Sequence, residues 1–357
     1  MDKIEINKYK EIKRISPSQF YSMKKCSYKT LLAEAFDKKP LLPISPNAKF
    51  GNVLHKIFEL INNNMINNEE EFNKIFMQQV IEEEKKLKKD GFGFFVPLHE
   101  NIKDFGLKKV KLKRYLRQKK QKQSVRQVTA DFASEKWYES RDKLVGGIID
   151  LVIESEEGIE IIDFKSGRIT QDDLDDQGVL LINEGYQIQL KLYAYLYFEN
   201  TQKYPNKLSL IDLSNIKHIV DFSPKECEEV FLEAKQLLKD TNESINSEKY
   251  NVNPSEDNCK YCLYRPACTF YIKLLDNNAY SFNDISGKVE KVMQYKNGDI
   301  SVFLQNVNGQ CVVTGFPEEK FTELEETQLQ YINIFNLYKK EGDGRYSALK
   351  TTMCYLQ

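Results

Sequence analysis

The chain has 357 residues, with 52 Lys and Arg against 53 Asp and Glu, a formal net charge of -1, and seven cysteines. That length predicts two domains. The near cancellation of charge excludes a global field that would steer a polyanion, so any nucleic-acid surface must be a local cluster. No eighteen apolar residues run together and Met1–Lys10 lacks a signal-type apolar core, so a cytoplasmic chain without a membrane span is expected. In such a reducing compartment, clustered cysteines read first as metal ligands and scattered ones as small apolar residues.

Ser16-Pro17-Ser18-Gln19 has the form of a capping box with proline at the first helical position, predicting a helix to about Phe36 that carries Cys26. After prolines 40, 43 and 46, the apolar residues Phe50, Leu54, Ile57, Phe58 and Ile61 follow a helical period and put His55 and Glu59 on one side. Residues 62–127 are polar and helical in pattern, acidic over Glu69–Glu84 and basic over Lys108–Lys122, and read as a helical insertion. Thr129–Tyr138, Lys143–Glu154 and Ile159–Phe164 read as consecutive strands, the last two joined by the turn Ser155-Glu156-Glu157-Gly158. Gly185–Glu199 returns to helical period, Leu208–Leu213 and Ile216–Phe222 form a further strand pair, and Ser223-Pro224-Lys225-Glu226 caps a helix to about Ile245. Past a polar linker at 276–284, residues 285–357 show short strands with turns at Lys296–Asp299, Asn308-Gly309 and Glu341–Gly344, predicting a small β-barrel.

The chemistry concentrates on Asp150, at the end of Gly146-Gly147-Ile148-Ile149-Asp150, and on Asp163-Phe164-Lys165. Adjacent strands can bring the two carboxylates together. Residues two apart in a strand share a face, so Asp163 and Lys165 point one way and Phe164 points to the core. Two carboxylates suit a hard divalent ion, which phosphodiester hydrolysis needs to neutralise the phosphate and acidify a bound water. A lysine beside them can orient that water or meet developing negative charge. Glu59, one helical turn after His55, could hold the histidine by a hydrogen bond, whereas Glu135 reads as a solvated strand residue.

Gly147-x-x-Asp150, Asp163-Phe164-Lys165 and Gln189-x3-Tyr193, in this order, resemble successive motifs of the PD-(D/E)XK nuclease superfamily. The branch they resemble is that of RecB and AddB nuclease domains and the RecB-like CRISPR-associated adaptation nucleases, whose Gly-x3-His matches Gly51–His55. The resemblance implies an α/β fold with a restriction-endonuclease-like core, His55, Asp150 and Asp163 as ligands of Mg²⁺ or Mn²⁺, and Lys165 as catalytic lysine. It also implies that Gln189 and Tyr193 complete the site and approach the DNA.

Cys259-x2-Cys262-x5-Cys268 supplies three thiolates, and Cys26 is the natural fourth. Spacing alone allows a [4Fe–4S] cluster or tetrahedral zinc. The resemblance implies the iron–sulfur cluster, since relatives carry one early cysteine and three late ones, although Ser27 stands where they usually show proline. Such a closure over a very long loop is expected to be structural. Cys227, Cys311 and Cys354 read as buried apolar residues.

Lys108, Lys109, Lys111, Lys113, Arg114, Arg117, Lys119, Lys120 and Lys122 form the one strongly basic run, read either as a solvated helix face or as a track for DNA phosphates. The final module resembles an oligonucleotide-binding (OB) barrel, in which Tyr295, Phe303, Phe316 and Tyr338 could stack bases or fill the core. The expected layout is a nuclease domain over 1–275 and the barrel over 285–357. No phosphate-binding loop is present, so a helicase partner would be a separate polypeptide. Two functions are expected: a metal-dependent DNA nuclease, or a scaffold subunit that keeps the nuclease fold without its activity.

Overall fold

The computed structural model describes residues 1–125, 131–174, 180–277, 283–340 and 344–357. The start of the strand expected at Thr129, the end of the insertion at 126–127, most of the linker and the turn residues Glu341–Asp343 lie outside them. In chain order the helices are α1 (Pro17–Lys25), α2 (Tyr28–Ala35), α3 (Pro46–Asn62), α4 (Glu69–Lys89), α5 (Leu98–Asn101), α6 (Phe105–Val125), α7 (Glu184–Thr201), α8 (Pro224–Ser247), α9 (Glu256–Cys259), α10 (Thr269–Asn277) and α11 (Phe321–Glu325). The strands β1 (Asp131–Glu139), β2 (Gly146–Ser155), β3 (Gly158–Lys165), β4 (Thr170–Leu174), β5 (Leu180–Ile182), β6 (Lys207–Asp212) and β7 (Lys217–Val220) precede β8 (Ile285–Gln294), β9 (Ile300–Asn306), β10 (Gly309–Phe316), β11 (Tyr331–Phe335), β12 (Tyr338–Lys339), β13 (Arg345–Ser347) and β14 (Met353–Leu356). They form two compact units, one of residues 13–24 and 45–240, the other of 1–12, 25–44 and 241–357.

The first unit is built on a five-stranded sheet in the order β1-β2-β3-β6-β7, antiparallel except where β3 runs parallel to β6. A parallel neighbour needs a crossover, and the chain makes it through α7. The β2–β3 register is set by a tight turn at Gly158, whose φ of 120° excludes a side chain, with Asn206 Oδ1 packed into the space a Cβ would take and accepting the Ile159 N–H. Leu151↔Ile162 is the last paired rung before the ends of the strands. α3, α4 and α6 pack their apolar faces, including Phe50, Phe58, Phe72, Phe76 and Leu112, around Leu151, Ile162 and Phe164. Phe164 points to this core as its alternation requires, stacked on Phe58 at 4.5 Å between ring centroids. The 62–125 insertion is thus part of the core's wall.

The helix expected over 16–36 is two helices. It breaks at Cys26-Ser27, α1 ending at Lys25 and α2 starting at Tyr28, so Cys26 sits in a loop and not on a helix. Ser16 and Gln19 do begin α1 with a turn, Gln19 N–H bonding Ser16 O, but the Ser16 hydroxyl pairs with Ser18. The second capping box forms in full, Ser223 Oγ receiving the Glu226 N–H and Glu226 receiving that of Ser223. The β4–β5 hairpin has no counterpart in the sequence reading, because Gln171-Asp172-Asp173 gives no apolar alternation.

In the second unit seven strands form one sheet in the order β12-β13-β10-β9-β8-β11-β14. β11 pairs with β8 and β12 with β13, and only Asn336-Leu337 separates the two, so the chain spans from one side of the sheet to the other. Asn336 takes a left-handed φ of 59° at this bend. That path, with bulges at Val289/Lys291 and Thr314/Phe316, curls the sheet and is compatible with a small barrel around Val289, Val302, Leu304, Val313, Ile332 and Ile334.

The same unit holds α2 and the cysteine-bearing loop. Arg265, between Cys262 and Cys268 in sequence, is 5% exposed; its Nη1 donates to the Cys262 carbonyl at 3.0 Å and its Nε and Nη2 grip both oxygens of buried Asp284 at 2.5 and 3.1 Å. Asp284 also receives the Tyr271 hydroxyl and the Asn336 N–H. Every oxygen of that buried carboxylate is therefore satisfied.

Candidate active site

Asp150 and Asp163 stand one step beyond the last β2–β3 rung, where the strands part. The Phe164 N–H donates to Asp150 Oδ2 at 2.8 Å, so the carboxylate occupies the place of a ladder carbonyl and its direction is fixed by backbone. Asp163 is 3% exposed. Its Oδ1 receives Gln189 Nε2 at 3.0 Å, and the Lys165 ammonium lies 2.7 Å from Oδ2, although Oδ2 has no hydrogen bond of good geometry. Lys165 Nζ in turn donates to Gln189 Oε1 at 2.9 Å. One buried amide therefore holds the carboxylate with its nitrogen and the lysine with its oxygen.

Burial pushes Asp163 up to about 6, the Lys165 charge opposing this and the Asp150 charge adding to it. A carboxyl so placed is a poor anion alone and a good one beside a cation. His55 Nδ1, one helix away on α3, is 3.6 Å from Asp150 Oδ2. Burial would lower its pKa, but the bond to Asp150 and the charges of both aspartates raise it above the usual value. Among the described residues, no three or more His, Cys, Asp or Glu side chains, the four cysteines included, are grouped so that they could hold a metal ion as they stand.

Gln189 and Tyr193 are both buried, 6% and 5% exposed, and the Tyr193 hydroxyl lies 3.4 Å from Gln189 Nε2. They face the aspartate and lysine from the inside of the fold, not a solvent-open DNA path. Gly147 explains the glycine of the Gly147-x-x-Asp150 pattern: a Cβ there would meet Pro17 at 2.9 Å and Tyr193 at 3.3 Å, so α1 and α7 could not approach β2. Glu59 bonds Lys56 on its own helix. Its carboxylate also faces Glu135, whose pKa is raised by burial and by Glu59. Glu135 lies opposite Asp150 between the rungs Ser134↔Leu151 and Lys136↔Ile149, with a left-handed φ of 48°. Alternation alone gave it no distinction from any other strand glutamate. Tyr186, which no sequence motif singled out, holds its ring centroid 4.3 Å from Lys165 Nζ.

Cys26, Cys259, Cys262 and Cys268 line one cavity with Tyr28, Lys29 and Leu32. Burial raises the thiols of Cys259, to about 11, of Cys268, to about 12, and of Cys262. Cys227 and Cys311 are buried and Cys354 is half-buried, in keeping with their apolar reading.

The basic run on α6 is partly consumed inside the fold. Lys119 donates to Ile61 O, Asn62 O and Asn64 Oδ1, Arg117 and Lys113 pair with Glu69, and Lys108 and Lys109 lie over Phe50 and Phe76. Arg114 and Lys120 are exposed and Lys111 half-buried; the side chain of Lys122 lies outside the described residues. No helix among the described residues is long and apolar enough to cross a membrane.

No curated protein matches the chain in sequence. Among solved structures, one described as "Crystal structure of SSO0001" aligns over 74% of this chain and 89% of its own, at 14% identity and a TM-score of 0.32. Another, described as "Structural mimicry for functional antagonism", covers 64% of this chain and 88% of its own at 10% identity and a TM-score of 0.20. The family profile of the PD-(D/E)XK nuclease superfamily matches residues 14–269, which include every carboxylate, lysine and cysteine of both candidate sites. With that match spanning most of its length, the chain belongs to the PD-(D/E)XK nuclease superfamily.

Proposed function

We propose that the protein is a Mg²⁺- or Mn²⁺-dependent deoxyribonuclease of the RecB/AddB-like branch, an exonuclease or end-processing enzyme for single strands or duplex ends in DNA repair, recombination or antiviral defence. The observation that carries it is Asp163: a buried carboxylate with one oxygen lacking a hydrogen bond, beside Asp150 and bracketed with Lys165 by one glutamine. His55, Asp150 and Asp163 would hold the divalent ion, which supplies Lewis acidity and a water of lowered pKa. Asp150, pinned by the Phe164 N–H, keeps its second oxygen free to face that ion. Lys165 donates to the attacking water or to the phosphate oxygen that gains charge as the P–O bond breaks. Gln189 keeps aspartate and lysine in register.

The four cysteines facing one cavity suit a [4Fe–4S] cluster, with zinc the lesser alternative, in a structural role. Burial keeps these thiols neutral, and a metal ion that bound them would displace their protons, so its binding would strengthen with rising pH. The β8–β14 module, read as OB-like, would bind DNA or a partner protein such as a separate helicase. Its exposed Tyr295 and Tyr338 are the stacking candidates, since Phe316 is buried.

The test is incubation of anaerobically purified protein with end-labelled single- and double-stranded DNA and Mn²⁺. Wild type degrades DNA, and Asp163→Ala and Lys165→Ala each lose at least about a thousandfold in rate while keeping their circular dichroism. Cleavage that survives both substitutions rejects the site. The absorption spectrum and metal content of the same sample separate iron–sulfur from zinc.

A further inference from the structure

We infer that Tyr186 is a positioning residue for Lys165, its ring holding the ammonium at the Asp163–Gln189 corner; this deepens the nuclease reading and rests on it. Lys165 Nζ has three N–H groups. One goes to Gln189 Oε1 at 2.9 Å, the ammonium lies 2.7 Å from Asp163 Oδ2 without forming a hydrogen bond of good geometry, and the centroid of the Tyr186 ring lies 4.3 Å away. The Lys165 side chain is only 14% exposed, so the cation–π contact is formed where water is largely excluded and is worth most. A lysine has four rotatable bonds and would otherwise sample positions away from the phosphate.

The backbone that carries the ring is itself fixed. Tyr186 belongs to the first turn of α7, capped by Asn183, whose Oδ1 receives the Gly185 N–H and whose carbonyl receives that of Tyr186. Tyr21 packs against Gly185 so closely that a Cβ there would lie 2.8 Å from its ring, and its hydroxyl donates to Glu184 at 2.9 Å. From this turn Tyr186, Gln189 and Tyr193 recur at three and four residues, which places them on one helical face. That face meets Asp163 and Lys165. The sequence pattern Tyr186-x2-Gln189-x3-Tyr193 is therefore one functional stripe, of which the tyrosine at its start acts through the lysine.

The experiment compares Tyr186→Phe with Tyr186→Leu, and adds pentafluorophenylalanine at position 186, which keeps the shape but removes the negative ring face. Rates on end-labelled DNA with Mn²⁺ are measured together with the ε-methylene resonances of ¹³C-lysine-labelled protein. The inference expects an upfield ring-current shift of the Lys165 methylene in wild type and Tyr186→Phe that is lost in Tyr186→Leu. It also expects kcat to fall about tenfold in Tyr186→Leu and in the fluorinated variant, with KM little changed and Tyr186→Phe near wild type. A Tyr186→Leu protein that fails to fold leaves the fluorinated variant to decide. No shifted lysine in wild type, or equal kcat for Phe and fluorinated variants in an active enzyme, overturns the inference alone. Wild type that shows the shift yet cuts no DNA defeats the nuclease reading, and the catalytic purpose of the contact with it.

Discussion

The carboxylate–lysine cluster and the cysteine cavity both gather side chains from separate parts of the chain, by opposite routes. Asp150 and Phe164 are fourteen residues apart and are joined because one hairpin turn, closed at Gly158 and held by Asn206, sets the register of two strands. Cys26 and Cys259 are separated by 233 residues and line one cavity only because distant segments of the chain pack into one unit. Closing a long loop costs more entropy than closing a hairpin, though the cost grows only logarithmically. The cysteine unit offsets this with a buried ionic knot, Arg265–Asp284, fastened on one side to the Cys262 carbonyl and on the other to Asn336 at the β11–β12 bend. The hairpin part of the carboxylate site is set locally, although His55 and Gln189 reach it from other helices. A site assembled from afar depends on its surroundings.

Breaking the knot gives the largest expected difference. Arg265→Met strands Asp284 in the interior and should cost about 3–5 kcal/mol. Amide exchange of β8–β14 and of the 259–268 loop should accelerate together, while the β2–β3 hairpin keeps its protection. Equal loss of protection in both units would erase the contrast between the sites.

A smaller effect sharpens the contrast from the other side. Asp163 is raised in the fold relative to an unfolded aspartate, so its contribution to stability is complete below the unfolded value near 4 and is lost as pH rises through about 6. Metal-free protein should therefore lose stability across that window, and Asp163→Asn should flatten the slope in chemical denaturation. Because a divalent ion competes with the proton, added Mn²⁺ should stabilise wild type increasingly above pH 6 and leave Asp163→Asn unmoved. A slope unchanged by the substitution would assign the titration to another group.

The smallest effect concerns α6. Arg114 and Lys120 are exposed, whereas Arg117 is tied to Glu69 and Lys119 to backbone carbonyls. If α6 tracks phosphates, Arg114→Ala with Lys120→Ala should reduce the salt slope of single-strand DNA binding by about one to one and a half, at about 0.7 per contact. Lys119→Ala should chiefly lower stability. An unchanged slope in the double variant makes the run a solvated and structural face.

Much of the site could be read in advance because its determinants are short-range. The two-residue spacing of Asp163 and Lys165 fixes a common face and sends Phe164 into the core, where it lies against Phe58. The helix of His55, the strands β2 and β3 and the helix of Gln189 all follow from period and capping. The basic run is only partly legible for a corresponding reason: charge is visible in sequence, but Glu69 and the carbonyls of Ile61 and Asn62 that engage Arg117 and Lys119 are about 50 residues away. The break at Cys26-Ser27 was equally hidden, since nothing local forbids a helix through it.

By itself, then, the sequence determined the residue types, their order and the strand faces, because side-chain alternation and tight turns act within a few residues. Only the tertiary structure decided that Gln189 is buried against Asp163 and Lys165 with Tyr193 beside it, that the Tyr186 ring lies by the lysine, and that the cysteines share a unit with the β8–β14 module. Those outcomes depend on which helix reaches which strand, and that is set by packing summed over the whole core.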